Sequence, residues 1–171
     1  MKNLLLTFLA VLMVGQVFAQ ERKRASPRET AELGPVKVEY SRPYKKGREV
    51  FGVLVPYNQV WRLGADEATE ITFSKDATFG GKKVKAGTYS MFAIPGEKEW
   101  EIILNSELKQ WGAYQYEKIK DKDVAKVKVP VQSLSDSAEQ FTITPYADNL
   151  NILWDNVSLS IPYSFTETAQ K

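Results

Sequence analysis

Across 171 residues there is no cysteine and no histidine. Without cysteine there can be no disulfide, no thiol nucleophile, no lipid-anchoring cysteine and no Cys-based metal site. Without histidine the commonest general base is gone, and with it Ser-His-Asp chemistry and the usual zinc and copper ligands. An enzyme built on this chain must work with carboxylates, Lys, Tyr, Ser or Thr. An excess of one charge is also missing: 23 Lys and Arg against 21 Asp and Glu leave a formal +2, which sets up no global field for nucleic acid or membrane. No basic stripe is interleaved with aromatics, so nucleic acid is not an expected partner. Asp121, Asp123 and Asp136 lack the spacing of a calcium loop, and neither a metal nor any other cofactor is expected. No segment carries a long apolar period of 3.6 residues, so little helix is expected.

The one long hydrophobic run is Leu4 to Phe18, which follows Lys2 and ends in Val17-Phe18-Ala19. A basic start, a short apolar core and small residues at the cleavage positions make residues 1–19 a secretory signal peptide, with Gln20 as the new N-terminus. The run is shorter than the roughly 20 residues that span a bilayer, so no transmembrane anchor is expected after cleavage. Export without disulfides fits the periplasm or exterior of a bacterium. What remains, about 150 residues, suits one domain with a hydrophobic core. Residues 20–33 are apolar-poor and read as a flexible basic leader, residues 34–165 as the folded domain and residues 166–171 as a tail.

Within the domain the pattern is one of short strands. Val36 to Tyr40 alternates, Val50 to Val55 is a short apolar strand, and Gly80-Gly81 turns a hairpin after Phe79. Thr88 to Ile94 and Glu99 to Leu104 read as partners, and Ser106 to Lys109 as one helical turn. Val124 to Val131 and Gln140 to Thr144 alternate again, and Leu150 to Trp154 and Val157 to Tyr163 flank Asp155-Asn156, a turn by composition. Many short strands at spacings of roughly 8–12 residues predict an all-β fold, a single antiparallel β-sandwich of jelly-roll-like or immunoglobulin-like type.

Chemistry-bearing residues concentrate between Val60 and Phe73, where Trp61, Arg62, Gly64, Asp66 and Glu67 precede the alternating Glu70 to Phe73. Adjacent carboxylates on a strand point to opposite faces, so an Asp66/Glu67 dyad requires a turn in the backbone there. A second reading pairs Arg62 with Asp66 or Glu67 inside the fold, where the pair would fix register between strands. A third has Trp61, Arg62 and Glu67 lining a pocket with Arg42, Arg48 and Trp111, a set suited to a sugar, carboxylate or phosphate-bearing ligand. The run Trp111-Gly112-Ala113-Tyr114-Gln115-Tyr116 suits either core filling or a binding platform.

Several of these segments together resemble one family. Tyr40-Ser41-Arg42-Pro43, Gly47-Arg48, Val55-Pro56-Tyr57, Val60-Trp61-Arg62, Ala86-Gly87-Thr88-Tyr89, Ile94-Pro95-Gly96 and Gln110-Trp111-Gly112-Ala113-Tyr114 are similar to the DUF2911 pattern. The resemblance covers nearly the whole exported chain and departs at Asp66, where the pattern implies Asn. It implies an exported, mostly β protein of Bacteroidota or related bacteria, and supplies no reaction. It also makes Asp136-Ser137-Ala138 a match to the periplasmic O-glycosylation signal of such bacteria, with Ser137 as acceptor. The expected function is a non-catalytic binding or structural module of the envelope, taking a small-molecule or glycan ligand. The alternative is a histidine-free, carboxylate-dependent hydrolase acting on a glycan.

Overall fold

The structure, a computed structural model, describes residues 24–165. The expected signal peptide, the first residues of the leader and the C-terminal tail lie outside the described residues. Two antiparallel sheets face each other. The first holds β1 (Arg28–Leu33), β2 (Val36–Ser41), β3 (Thr69–Phe73), β6 (Gly87–Ile94), β7 (Glu99–Asn105) and β8 (Asp123–Pro130), in that spatial order. The second runs β5 (Lys82–Val84), β4 (Ala77–Phe79), β10 (Asn149–Phe165), β9 (Gln132–Pro145). This is the all-β sandwich that the strand pattern predicts.

Alternation decides which side chains enter the core. In β2, Val36, Val38 and Tyr40 are fully buried, and in β3 Ile71 and Phe73 join them while Glu70 and Thr72 stay half-buried. From the opposite sheet Phe141, Ile143, Leu150, Ile152, Trp154, Leu159 and Ile161 close the same cluster. β6 and β7 are buried on both faces, because a short helix α1 (Tyr116–Ile119) brings Tyr116 and Ile119 onto Phe92 and Ile103 behind the sheet.

The sandwich is tied across its layers along one border. Ser41 ends β2, and the chain then runs beside β9 rather than leaving it as an open edge. Tyr40 Oη donates to the Ile143 carbonyl (3.1 Å) and accepts from the Ile143 N–H (3.0 Å). Phe141 N donates to Pro43 O at 2.9 Å and Lys45 N to Glu139 O at 2.7 Å. Backbone groups that an edge strand would show to solvent are thereby satisfied.

Four expectations need correction. Arg28 to Leu33, placed in the flexible leader, form β1, paired residue for residue with Leu33↔Val36 through Arg28↔Ser41. Its charges do not oppose pairing, because an edge strand keeps most side chains in water and charge there blocks further pairing. Val50 to Val55 is a tight turn, closed by Val55 N on Val50 O (2.8 Å) and Gly52 N on Val55 O (2.9 Å), with Val50, Phe51 and Val55 pinned in the core. The helical turn at Ser106 to Lys109 is absent: Asn105 Oδ1 accepts from Glu107 N at 2.8 Å and holds a turn, and helix begins at Tyr116. Asp155-Asn156 is a bulge inside the single strand β10, with Asp155 at φ 53° and register shifts on either side. Asn and Asp tolerate a positive φ in bulges as well as in turns, so composition alone does not separate the two.

Candidate functional site

The segment that joins Trp61 to β3 is built as a pinched loop. Trp61 exchanges backbone hydrogen bonds with Ala93 of β6 (2.7 and 2.9 Å), continuing the pairing that Thr69 makes with Met91. Between them the chain bulges out and is closed at its base by Thr69 N on Arg62 O (3.1 Å) and Thr69 Oγ1 on Leu63 O (2.5 Å). Leu63 and Asp66 take positive φ of 52° and 58°, a conformation that costs side-chain-bearing residues energy and persists only where surroundings enforce it. Here the surroundings do so: Leu63 is fully buried, and Gly64 lies so close to β2 that an added Cβ would stand 2.9 Å from Ser41 O.

Below the loop lies an aromatic floor. The Trp61 and Trp154 rings stack at 6.0 Å and 20°, and Phe51, Trp100 and Phe141 pack edge-on around Trp61. Trp61 Nε1 donates to Gly64 O at 3.1 Å, so the ring also fixes the loop above it. Over this floor opens a cleft of about 380 Å³, walled by Arg62, Ala65 and Asp66 on one side and by Pro43, Tyr44, Lys46, Arg48 and Leu54 on the other.

Of the six residues expected to converge, the structure brings Arg48, Trp61 and Arg62 to this cleft and leaves Arg42, Glu67 and Trp111 outside it. Arg42 is spent on holding the layers together: it donates to Phe141 O (3.1 Å) and Thr142 Oγ1 (2.8 Å) and pairs with Glu29 at 2.6 Å. Glu67 is clamped by Arg24 through two hydrogen bonds of 2.6 and 2.8 Å, with Arg28 at 3.7 Å. The Arg24 hydrogen bonds hold the Glu67 carboxyl below the usual range against the opposing pull of partial burial. Trp111 faces Glu67 across an isolated backbone bridge and is 61% exposed, on the outer surface. The expected Arg62 pairing with Asp66 or Glu67 does not form. Among the described residues no carboxylate lies within ion-pair distance of Arg62, and its Nε is buried with no hydrogen-bond partner.

The carboxylate dyad fares differently from either expectation. The backbone does turn at Asp66, yet the turn separates the two groups: Asp66 lines the cleft and Glu67 pairs with arginines away from it. Among the described residues Asp66 is the single carboxylate of the cleft wall. Trp154 and Lys46 belong to the site and were not anticipated. Trp154 sits about 90 residues from Trp61 in sequence, and only the sandwich brings the rings together.

The outer wall of the cleft is held by a polar cluster. Lys45 Nζ donates to Asp155 and, at 3.0 Å, to Ser137 Oγ, while Ser137 Oγ donates to Asp155 at 2.8 Å. The exposed Ser137 expected as a glycosylation acceptor thus lies against this cluster. Arg48 folds back onto its own loop, donating to Lys45 O (2.9 Å) and Tyr44 O (2.6 Å). Burial alone would push the Asp155 carboxyl up, but the hydrogen bonds from Lys45 and Ser137 outweigh it and hold it low. A depressed folded pKa contributes stability above the unfolded value, about 3.9, and loses it as pH falls through the folded value. Asp155→Asn is therefore expected to be less stable than wild type near pH 7 and to approach it near pH 3, read as urea midpoints. A gap that stays constant across that range would show the contribution is not ionic.

A family model described as Protein of unknown function (DUF2911) matches residues 23–163. The chain belongs to the DUF2911 family. That match covers both sheets but for the last two residues of β10, and every residue lining the cleft, so the site lies wholly within the family region of this DUF2911 protein. No curated protein and no solved structure matches it. Among the described residues of the DUF2911 domain no helix is long and apolar enough to cross a membrane.

Proposed function

We propose that this DUF2911 protein is an exported, non-catalytic binding module of the bacterial envelope whose cleft takes the anionic group of a small molecule or glycan. One observation carries the reading. Of the five arginines among the described residues, Arg24, Arg28 and Arg42 are paired with carboxylates, and the two without such a partner, Arg48 and Arg62, both line the cleft. A fold that pairs its other described guanidiniums with carboxylates and leaves two lining an open cleft is arranged for an anion from outside. The planar fork of arginine suits a carboxylate or phosphate, and the aromatic floor supplies apolar contact for a ring or chain attached to it. Asp66, on the same wall, accepts hydrogen bonds from hydroxyls next to the anionic group, which favours a sugar acid or sugar phosphate over a bare ion. Binding is favoured over hydrolysis because glycosidases work with two carboxylates roughly 5–9.5 Å apart, and Asp66 has no second carboxylate on the cleft wall among the described residues.

The test is calorimetric titration of the purified protein with glucuronate, glucose 6-phosphate and inorganic phosphate, against glucose as the neutral control. The charged sugars are expected to bind, glucose not, and the affinity to fall as salt is raised. Equal binding of glucose and glucuronate, or no heat with any anion, would reject the anionic reading.

A further inference from the structure

Resting on the anionic reading of the cleft, we propose that the group it takes is the phosphate of a membrane lipid, and that the protein docks on an anionic lipid surface through the turn beside the cleft mouth. The observation is a juxtaposition. The Val50–Val55 turn holds Val50, Phe51 and Val55 in the core and offers Val53 and Leu54 to water, 63% and 40% exposed. Single exposed aliphatics are ordinary, but Leu54 is also a wall of the cleft and stands there with Lys46, Arg48 and Arg62. Leu54 of the aliphatic tip and three cations whose side chains have no carboxylate partner among the described residues thus line one cleft, with Val53 next to it in the turn.

That combination is what an interfacial lipid site requires. Apolar side chains enter the boundary between headgroups and acyl chains, and flanking Lys and Arg reach the phosphates, so affinity grows with both apolar area and anionic charge. The tip is prepared for it. Gly52 at φ 94° makes the turn, and the bonds Gly52 N to Val55 O and Val55 N to Val50 O keep it closed, so little ordering accompanies insertion. Arg48 is braced on its own loop carbonyls and is presented without having to be ordered first. The turn itself carries no acid; Glu49, which precedes it, opposes the surface and is outnumbered by the three cations. With Asp66 beside them, the cations fit a headgroup that carries phosphate and hydroxyls together, as phosphatidylglycerol does.

The experiment is co-sedimentation of the full chain, without its signal peptide, with vesicles rich in phosphatidylglycerol and with pure phosphatidylcholine vesicles. It is run beside calorimetric titration with soluble glycerol phosphate. Binding is expected to the anionic vesicles alone. The variant Val53→Ser, at the exposed tip and outside the cleft lining, is expected to bind them about tenfold more weakly while binding glycerol phosphate as wild type does. Arg48→Gln/Arg62→Gln is expected to lose both. Lys82→Gln/Lys83→Gln removes equal charge outside the cleft and is expected to change neither, which separates the site from general attraction between charges. Glycerol phosphate binding without vesicle binding, or a Val53→Ser variant that sediments like wild type, overturns the lipid proposal and leaves the anion cleft standing. Failure of both ligands overturns both.

Discussion

Trp61→Ala is expected to lose about 3–5 kcal/mol of folding stability, the largest effect of any single truncation near the cleft. The ring is 7% exposed and touches Phe51, Trp100, Phe141 and Trp154, with centroids between 5.3 and 6.3 Å. Its neighbours come from β7, β9, β10 and the Val50–Val55 turn, so they are fixed by separate elements and cannot all move inward to fill the void. Each aromatic pair adds roughly 0.5–1.5 kcal/mol beyond the area it buries, which places the loss toward the upper end. Against a typical total of about 5–15 kcal/mol, this is a large share. Trp61→Phe retains ring contact but leaves Gly64 O without its indole donor, and about 1–2 kcal/mol is expected. Urea unfolding followed by circular dichroism reads both. A loss from Trp61→Ala under about 1 kcal/mol would mean that the cluster collapses into the space, and that Trp61 is not the keystone of the floor.

How much of this was readable in advance depends on the distance over which each feature is decided. β2 and β3 alternate in burial, while β6 and β7 are short apolar runs buried on both faces and bounded by turn residues, and in each case a local pattern suffices to place the strand. β1 is a strand because Val36 to Ser41 offers it a partner; taken alone, Arg-Glu-Thr-Ala-Glu-Leu has no apolar period to show. The Val50–Val55 turn is apolar for the reason a strand would be, since three of its residues are buried, and composition cannot distinguish the two. The same limit governs the site. Trp61, Arg62 and Arg48 stood out as types able to hold an anion. Arg42 looked equivalent to Arg48 until Phe141 and Thr142, about 100 residues away, proved to occupy its donors. Glu67 looked free until Arg24, 43 residues upstream, folded back on it. Which charges are satisfied is a property of the sheet order and not of any window of sequence.

Arg62→Ala is expected to separate binding from stability, with an anion affinity roughly ten- to a hundredfold weaker and a stability within about 1 kcal/mol of wild type. The affinity loss follows from removing charge-assisted donors that have no competing carboxylate among the described residues. The small stability change follows from the same fact. Had Arg62 been locked to a buried carboxylate, truncation would strand that charge and cost about 3–5 kcal/mol. Instead, truncation releases a guanidinium whose Nε is buried without a partner, and this gain offsets the apolar packing that the stem supplied. Arg62→Lys sharpens the argument, because it keeps the charge and removes the planar fork. Affinity restored by Lys would mean the cleft senses charge alone, and affinity still lost would mean it reads the two-pronged geometry of a carboxylate or phosphate. An Arg62→Ala protein that unfolds several kcal/mol earlier yet titrates normally would reverse the assignment, making Arg62 a structural residue and leaving Arg48 as the anion contact of the cleft.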